Sequence, residues 1–144
     1  MAKDHYPPMH SVEHLLNQTM VRLFDCGRSV NAHIEKKKSR IDYSYNRNLT
    51  NDEITMVEER VNTLIGANLY ITEEFLPRNE AEKRFHLNKL PDTAGDQIRI
   101  VKIGDYDACP CIGSHVPSTA EIGKFKILST SFESGILRLR IKIE

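Results

Sequence analysis

The chain has 144 residues, and its 20 Lys+Arg balance its 20 Asp+Glu, so the formal net charge is zero. That balance removes the simplest argument for a nucleic-acid partner, a strongly basic chain, and leaves only local patches. With 40% hydrophobic residues and no apolar run near the roughly 20 residues of a membrane helix, the sequence reads as one soluble globular domain over 1–144 without a membrane partner.

The leader MAKDHYPPM lacks the apolar stretch of a signal peptide, so a cytoplasmic setting is expected. Pro7 and Pro8 suit the first turn of a helix. From Met9 to about Asp25 the apolar residues Val12, Leu15, Leu16, Met20, Leu23 and Phe24 recur at helical spacing and form one stripe. His10 and His14 point away from that stripe, toward solvent or toward a cleft roofed by another element. Cys26-Gly27 is the expected helix end.

SVNAHI and SRIDYSY read as strands around the turn EKKK. Thr50 and Glu53 form a capping box for a second helix, with Ile54, Val57, Val61, Leu64 and Ile65 as its stripe and Gly66 as its stop. NLYITEEFL is a strand candidate, and RNEAEKRFHL a short helix capped by Asn79. KLPDTAGD is a loop by composition. QIRIVKI is a strand ending at Gly104, and KFKILSTSFE and ILRLRIKIE are two final strands joined at Ser134-Gly135. In the last strand Leu137, Leu139, Ile141 and Ile143 face one side, with Arg138, Arg140 and Lys142 on the other. The layout predicts an α+β fold of two layers, a mainly antiparallel sheet with helices packed on one face. Lys36, Lys37, Lys38 and Arg40 make one basic patch, and Arg138, Arg140 and Lys142 another. Both permit RNA contact without requiring it.

Two clusters carry potential chemistry. His10 and His14, four apart on a helix, bring both imidazoles over one point, as zinc requires. The run ACPCIGSH offers Cys111 and His115, again four apart, in a loop rich in Gly, Pro and Ser. Together they give a sensible zinc set of one cysteine and three histidines, closed between a helix and a distant loop. Cys109 lies two residues from Cys111, so its side chain points the same way on an extended segment, and it reads as support rather than ligand. The odd count of three cysteines argues against a disulfide framework. The H-x-x-E-H pattern of an inverted zinc protease also fits residues 10–14. That reading leaves Cys111 and His115 unexplained, and the chain lacks the length for such an enzyme's body.

With both clusters in view the sequence resembles the editing domain of alanyl-tRNA synthetase and its free-standing AlaX-type relatives, a domain also found in threonyl-tRNA synthetase. HSVEHLL resembles the H-x-x-x-H helix of that family, and CIGSHVPSTAEIGKFKI its C-x-x-x-H segment. SRIDYSYNRNLTNDEI and IRIVKIGDYDAC resemble the intervening strand and the lead-in to the second motif, all in order between about Tyr6 and Ile127. The resemblance implies a zinc-dependent aminoacyl-tRNA deacylase. It would remove serine or glycine from tRNA for alanine, with no DNA partner and no capacity to charge tRNA itself. His10, His14, Cys111 and His115 match the family's metal ligands. The family's first loop glycine is Ile112 here, its threonine is Ser114, and Glu13 stands where the synthetases often have threonine. Ser29 falls near a pocket glutamine of those relatives. These departures bear on which amino acid is removed.

Three imidazoles and one thiolate already fill a tetrahedron, so catalysis needs a fifth position or a ligand that stays off the metal. Glu13 is the one carboxylate inside either motif and the candidate general base. Asn17, Gln18 and Ser29 are candidates for contacting the substrate side chain. The alternatives are a hydrolase of another small aminoacyl ester or amide, and a non-catalytic zinc-stabilised binding module.

Overall fold

Helix α1 (Pro7–Phe24) forms where the apolar stripe predicts it, and Pro7 and Pro8 occupy its first positions, where missing N–H donors cost nothing. Met9, Val12, Leu15, Leu16 and Met20 are fully buried. The helix ends one step before the expected Cys26-Gly27 stop. Asp25 takes the left-handed conformation (φ 54°), and its N–H closes on the Val21 carbonyl. A short polar side chain tolerates that conformation, so no glycine is needed.

This computed structural model describes residues 6–85, 87 and 95–144. After α1 come β1 (Asn31–His33), β2 (Ser39–Ser44), α2 (Asn51–Gly66), β3 (Ile71–Pro77), α3 (Arg78–Arg84), β4 (Gln97–Ile103), β5 (Asp107–Pro110), a single 3-10 turn (Thr119–Glu121), β6 (Phe125–Glu133) and β7 (Ile136–Ile143). The capping box of α2 is present in both directions, Glu53 N–H to Thr50 Oγ1 at 3.2 Å and Thr50 N–H to Glu53 Oε1 at 2.9 Å. Helix α3 starts at Arg78 with Pro77 at its N-cap, two residues before the expected cap at Asn79. Of the expected loop at 89–96, all but Gly95 and Asp96 lies outside the described residues.

The fold is α+β with antiparallel strands, as expected. The strands divide into two sheets among the described residues, β1-β2-β7-β6 and β3-β4-β5. The second sheet includes β5, which the sequence hides inside a loop-like run. Its four residues end on Pro110, a poor fit to an interior strand. At a sheet edge the missing N–H is harmless, and among the described residues β5 pairs only with β4.

The inner face of the four-stranded sheet presents Ile41, Tyr43, Phe125, Leu137, Leu139 and Ile141, all fully buried against the stripes of α1 and α2. Burying each such side chain contributes about 1.5–3 kcal/mol. Helix α1 is covered on its other side by β5 and the loop after it, so ten of its residues are buried. The histidine face therefore meets a cleft roof rather than solvent. No helix among the described residues is long and apolar enough to cross a membrane.

Candidate metal centre

Helix α1 and strand β5 run antiparallel across a shared seam. A helix advances about 6.0 Å in four residues, and a strand about 6.7 Å in two. Side chains four apart on α1 therefore meet side chains two apart on β5. His10 Nε2 lies 3.6 Å from Cys111 Sγ. One rung along, His14 Nδ1 lies 3.2 Å from Cys109 Sγ. At the next, Gln18 Nε2 donates to Asp107 Oδ1 at 2.9 Å. Cys111 continues the line of β5, its N–H bonding to the Arg99 carbonyl at 3.2 Å.

The fourth member comes from the loop. His115 Nε2 lies 3.5 Å from Cys111 Sγ, and its ring stacks on His10 with centroids 4.3 Å apart. Ser11 ties this loop to α1, since its Oγ contacts His115 Nδ1 at 3.0 Å and accepts from Val116 N–H at 3.1 Å. Arg99 straps the same loop by donating to the carbonyls of Cys111 and Gly113 at 3.1 and 2.8 Å.

His10, His14, Cys111 and His115 thus each offer one ligand atom, all within 4.8 Å of one another. The far nitrogens argue that this is a cation site. His10 Nδ1 bonds the Ser114 carbonyl at 3.1 Å, and His115 Nδ1 meets Ser11. His14 Nδ1 faces Cys109 and, at 3.7 Å, Asp107 Oδ2. Each imidazole has its remote nitrogen engaged, which fixes the ring and leaves Nε2 for the shared space, as metal-binding histidines require. The donor set, one sulfur and three nitrogens, suits zinc.

Electrostatics agree. Burial opposes ionisation of the Cys111 thiol, but hydrogen bonds from His10, His115 and His14 outweigh it and hold it at about 3. Burial, together with repulsion from His14 and His10, brings His115 down to about 4, so its nitrogen is a free lone-pair donor at neutral pH. Burial favours neutral His10 and His14, yet Cys111 raises the first, and Cys109 and Asp107 raise the second. A divalent ion would take the place of protons on these ligand atoms.

A layer behind the cluster is built from residues that sequence reasoning passed over. Asp107 accepts from Arg28 at 2.7 and 3.2 Å, besides its bond from Gln18. Arg28 also reaches Cys109 Sγ at 3.4 Å. His14, Asp107 and Cys109 form a second ligand-like group, but the Arg28 guanidinium already supplies it with a cation. The signal was present as D-x-C-x-C. The alternation that pairs Cys109 with Cys111 extends one step back to Asp107.

The remaining sequence candidates fall close by. Glu13 Oε1 lies 3.8 Å from His10 Nε2, with its side chain 14% exposed. Asn17 is buried and its Oδ1 accepts from the Tyr43 hydroxyl at 2.7 Å. Gln18 spends its amide nitrogen on Asp107. Ser29 is buried beside Arg28 in the chain.

Gly113 is required by close approach. A Cβ there would overlap His10 Cε1 and sit 2.6 Å from His10 Nδ1. Gly113→Ala is expected to push the imidazole off its Ser114 bond and lower zinc affinity by about the 10–100-fold typical of a missing outer partner. Chelator competition measures this. Gly27→Ala, where added bulk meets nothing within 4 Å, is the control that should leave affinity unchanged.

Comparison with known proteins places the geometry in a family. Residues 98–140, which span β4, β5, the ligand loop and most of the last hairpin, match the threonyl and alanyl tRNA synthetase second additional domain. The chain is 37% identical over 134 residues to the alanine–tRNA ligase of Coxiella burnetii, covering 90% of this chain and 15% of that protein. It is 35% identical over 130 residues to that of Bacillus subtilis, covering 88% and 14%, and 33% identical over 136 residues to that of Pyrococcus abyssi, covering 90% and 15%. The chain therefore spans about 15% of the length of the curated relatives it matches. Matched over nine-tenths of its length, and with the motif segments meeting at one seam, the chain belongs to the alanyl-tRNA synthetase editing-domain-like family.

Proposed function

We propose that residues 1–144 form a single editing-type domain that deacylates mischarged tRNA in trans, removing serine or glycine from tRNA for alanine in the cytoplasm. The observation that carries this reading is the convergence of His10, His14, Cys111 and His115, each ring anchored at its remote nitrogen, in a chain related to alanine–tRNA ligases. These four residues would hold zinc, which would supply Lewis acidity toward the ester carbonyl or the substrate amine. The ester is already activated, so positioning and one proton acceptor suffice.

Glu13 is the proposed acceptor. Its carboxylate lies beside His10 at the edge of the cluster, within reach of a water held there. Recognition of the amino acid follows from which polar groups remain uncommitted. Alanine and serine differ by one hydroxyl, which an apolar charging pocket rejects poorly, whereas a site built to bond that hydroxyl discriminates well. Asn17 has given its oxygen to Tyr43 and Gln18 its nitrogen to Asp107. Contact with a serine hydroxyl would come from the Asn17 amide nitrogen and the Gln18 oxygen, with Ser29 supporting the wall.

The test is deacylation of seryl-, glycyl- and alanyl-tRNA for alanine. Wild type is expected to clear the seryl ester at least about 100-fold faster than the alanyl ester, in keeping with recognition through a bonded hydroxyl. Equal rates on all three esters, or none above the spontaneous rate, would overturn the reading. A second reading is supported by the ligand count. Four protein ligands make the closed set of a structural zinc, and a non-catalytic binding module would hold metal while hydrolysing nothing.

A further inference from the structure

Two basic patches that are a hundred residues apart in sequence lie on one surface. The inner face of the four-stranded sheet is core, so its outer face carries the alternate residues. Register puts Arg40 of β2 opposite Arg140 of β7, and Arg140 opposite Ser129 of β6. In the neighbouring row Lys142 stands opposite Lys126. Ser39 pairs with Ile141, so the turn Lys36–Lys38 lies at the same corner. Six cations therefore gather there (Lys37, Lys38, Arg40, Lys126, Arg140 and Lys142), Lys36 being turned over the Tyr6 ring at the start of α1 at 5.8 Å, in a chain whose net charge is zero.

Neighbouring acids are mostly occupied. Asp42 holds Arg138 at 2.8 and 3.1 Å, Glu144 holds Lys142 at 3.0 Å, and Glu35 holds His33 at 2.6 Å. Like charges placed directly opposite on adjacent strands destabilise a sheet, and this face has two such pairs. Moreover, Arg40 Nε is the one buried side-chain donor among the described residues without a hydrogen-bond partner. An unmade bond of that kind is costly. An anion lying across the face would relieve the repulsion and give the Arg40 guanidinium, whose Nε is buried, a counter-charge.

We propose that this outer sheet corner, on the side of the sheet away from α1, binds the phosphodiester backbone of the RNA whose ester the metal centre hydrolyses, with Arg40 and Arg140 as its centre. The proposal rests on the tRNA reading above for the identity of the RNA. The surface is remote from the cluster, so it would tighten binding uniformly and leave the chemical step alone.

The experiment compares the full chain with Arg40→Gln/Arg140→Gln, and with Lys83→Gln/Arg84→Gln on exposed α3, which removes the same charge elsewhere. The probe is uncharged tRNA for alanine, titrated by fluorescence anisotropy across a salt series. The sheet double variant is expected to bind about tenfold more weakly at low salt and to flatten the plot of log K against log salt by about 2, one for each phosphate no longer neutralised. The α3 double variant keeps both the affinity and the slope. On seryl-tRNA the sheet variant raises KM with kcat unchanged, and its zinc content and melting temperature match wild type. Should the double variant be less stable, Arg140→Gln alone, on an exposed residue, repeats the test with half the change in slope. Equal weakening in both double variants, no weakening in either, or no RNA binding by wild type would overturn the proposal. Wild type that binds RNA through this face but hydrolyses no ester would instead remove the hydrolase reading and leave the surface standing.

Discussion

Replacing His10 by alanine is expected to reduce zinc from about one per chain to near zero after dialysis, and to bring deacylation of seryl-tRNA to the spontaneous rate. His10 is placed to affect the site in three ways. Its Nε2 faces Cys111, its ring stacks on His115, and its Nδ1 holds the loop through Ser114. Removing an inner ligand should cost more than the roughly 10–100-fold in metal affinity that removal of an outer partner costs. His33→Ala is the control, because His33 is exposed and, among the described residues, paired only with Glu35. It should retain metal and activity. A one-to-one zinc content that survives His10→Ala would sink the metal assignment, whatever the activity does.

The second large effect falls on stability. Arg28→Ala is expected to destabilise the fold by about 3–5 kcal/mol in urea titration, because it leaves Asp107 charged, buried and without its cation. The Asp107 side chain has no exposed surface, and Arg28 closes on both of its oxygens. Removing both charges together, as Arg28→Leu/Asp107→Asn, should recover much of the stability, since a buried ion pair is often replaceable by neutral groups. A single variant no less stable than the double would count against this account. Acid acts through the same pair. Burial raises the Asp107 carboxyl, but His14 and Arg28 together hold it down to about 2, below its ordinary 3.8. A depressed carboxylate stabilises the fold fully above its unfolded value. That contribution fades as pH falls from 3.8 toward 2, and acid unfolding should track this window.

The sequence was most legible where one element decides its own structure. The stripe of α1, the Thr50–Glu53 box and the alternation of β7 are local patterns, and each yields the element it predicts. The four cluster residues were legible for another reason, because two four-residue spacings repeat a known chemical need. Arg28 and Asp107 are 79 residues apart, and although Asp107 continues the alternation of Cys109 and Cys111, nothing joins it to Arg28 until α1 and β5 are set side by side. Asn17 illustrates the same limit. It is a candidate for contacting the substrate side chain, and nothing in the sequence shows that its oxygen accepts from Tyr43, a phenol buried in the four-stranded sheet. Strand β5 was missed because its proline argues against a strand wherever the strand's place in the sheet is unknown. The single sheet expected became two because, among the described residues, β3 and β4 pair with each other and not with the four-stranded sheet, and neighbours are tertiary facts.

The pairing of α1 with β5 works like a vernier, two scales of slightly different pitch read against each other. The helix scale is marked about every 6.0 Å and the strand scale about every 6.7 Å, so they drift by about 0.7 Å per mark. Three marks coincide well enough for short-range bonds, from His10 with Cys111 to Gln18 with Asp107. Over more marks the error would approach the size of an atom. The seam therefore has a natural length, with room for one ion and one guanidinium end to end. Mutations that lengthen the helix or the strand would add length but no further matched rung.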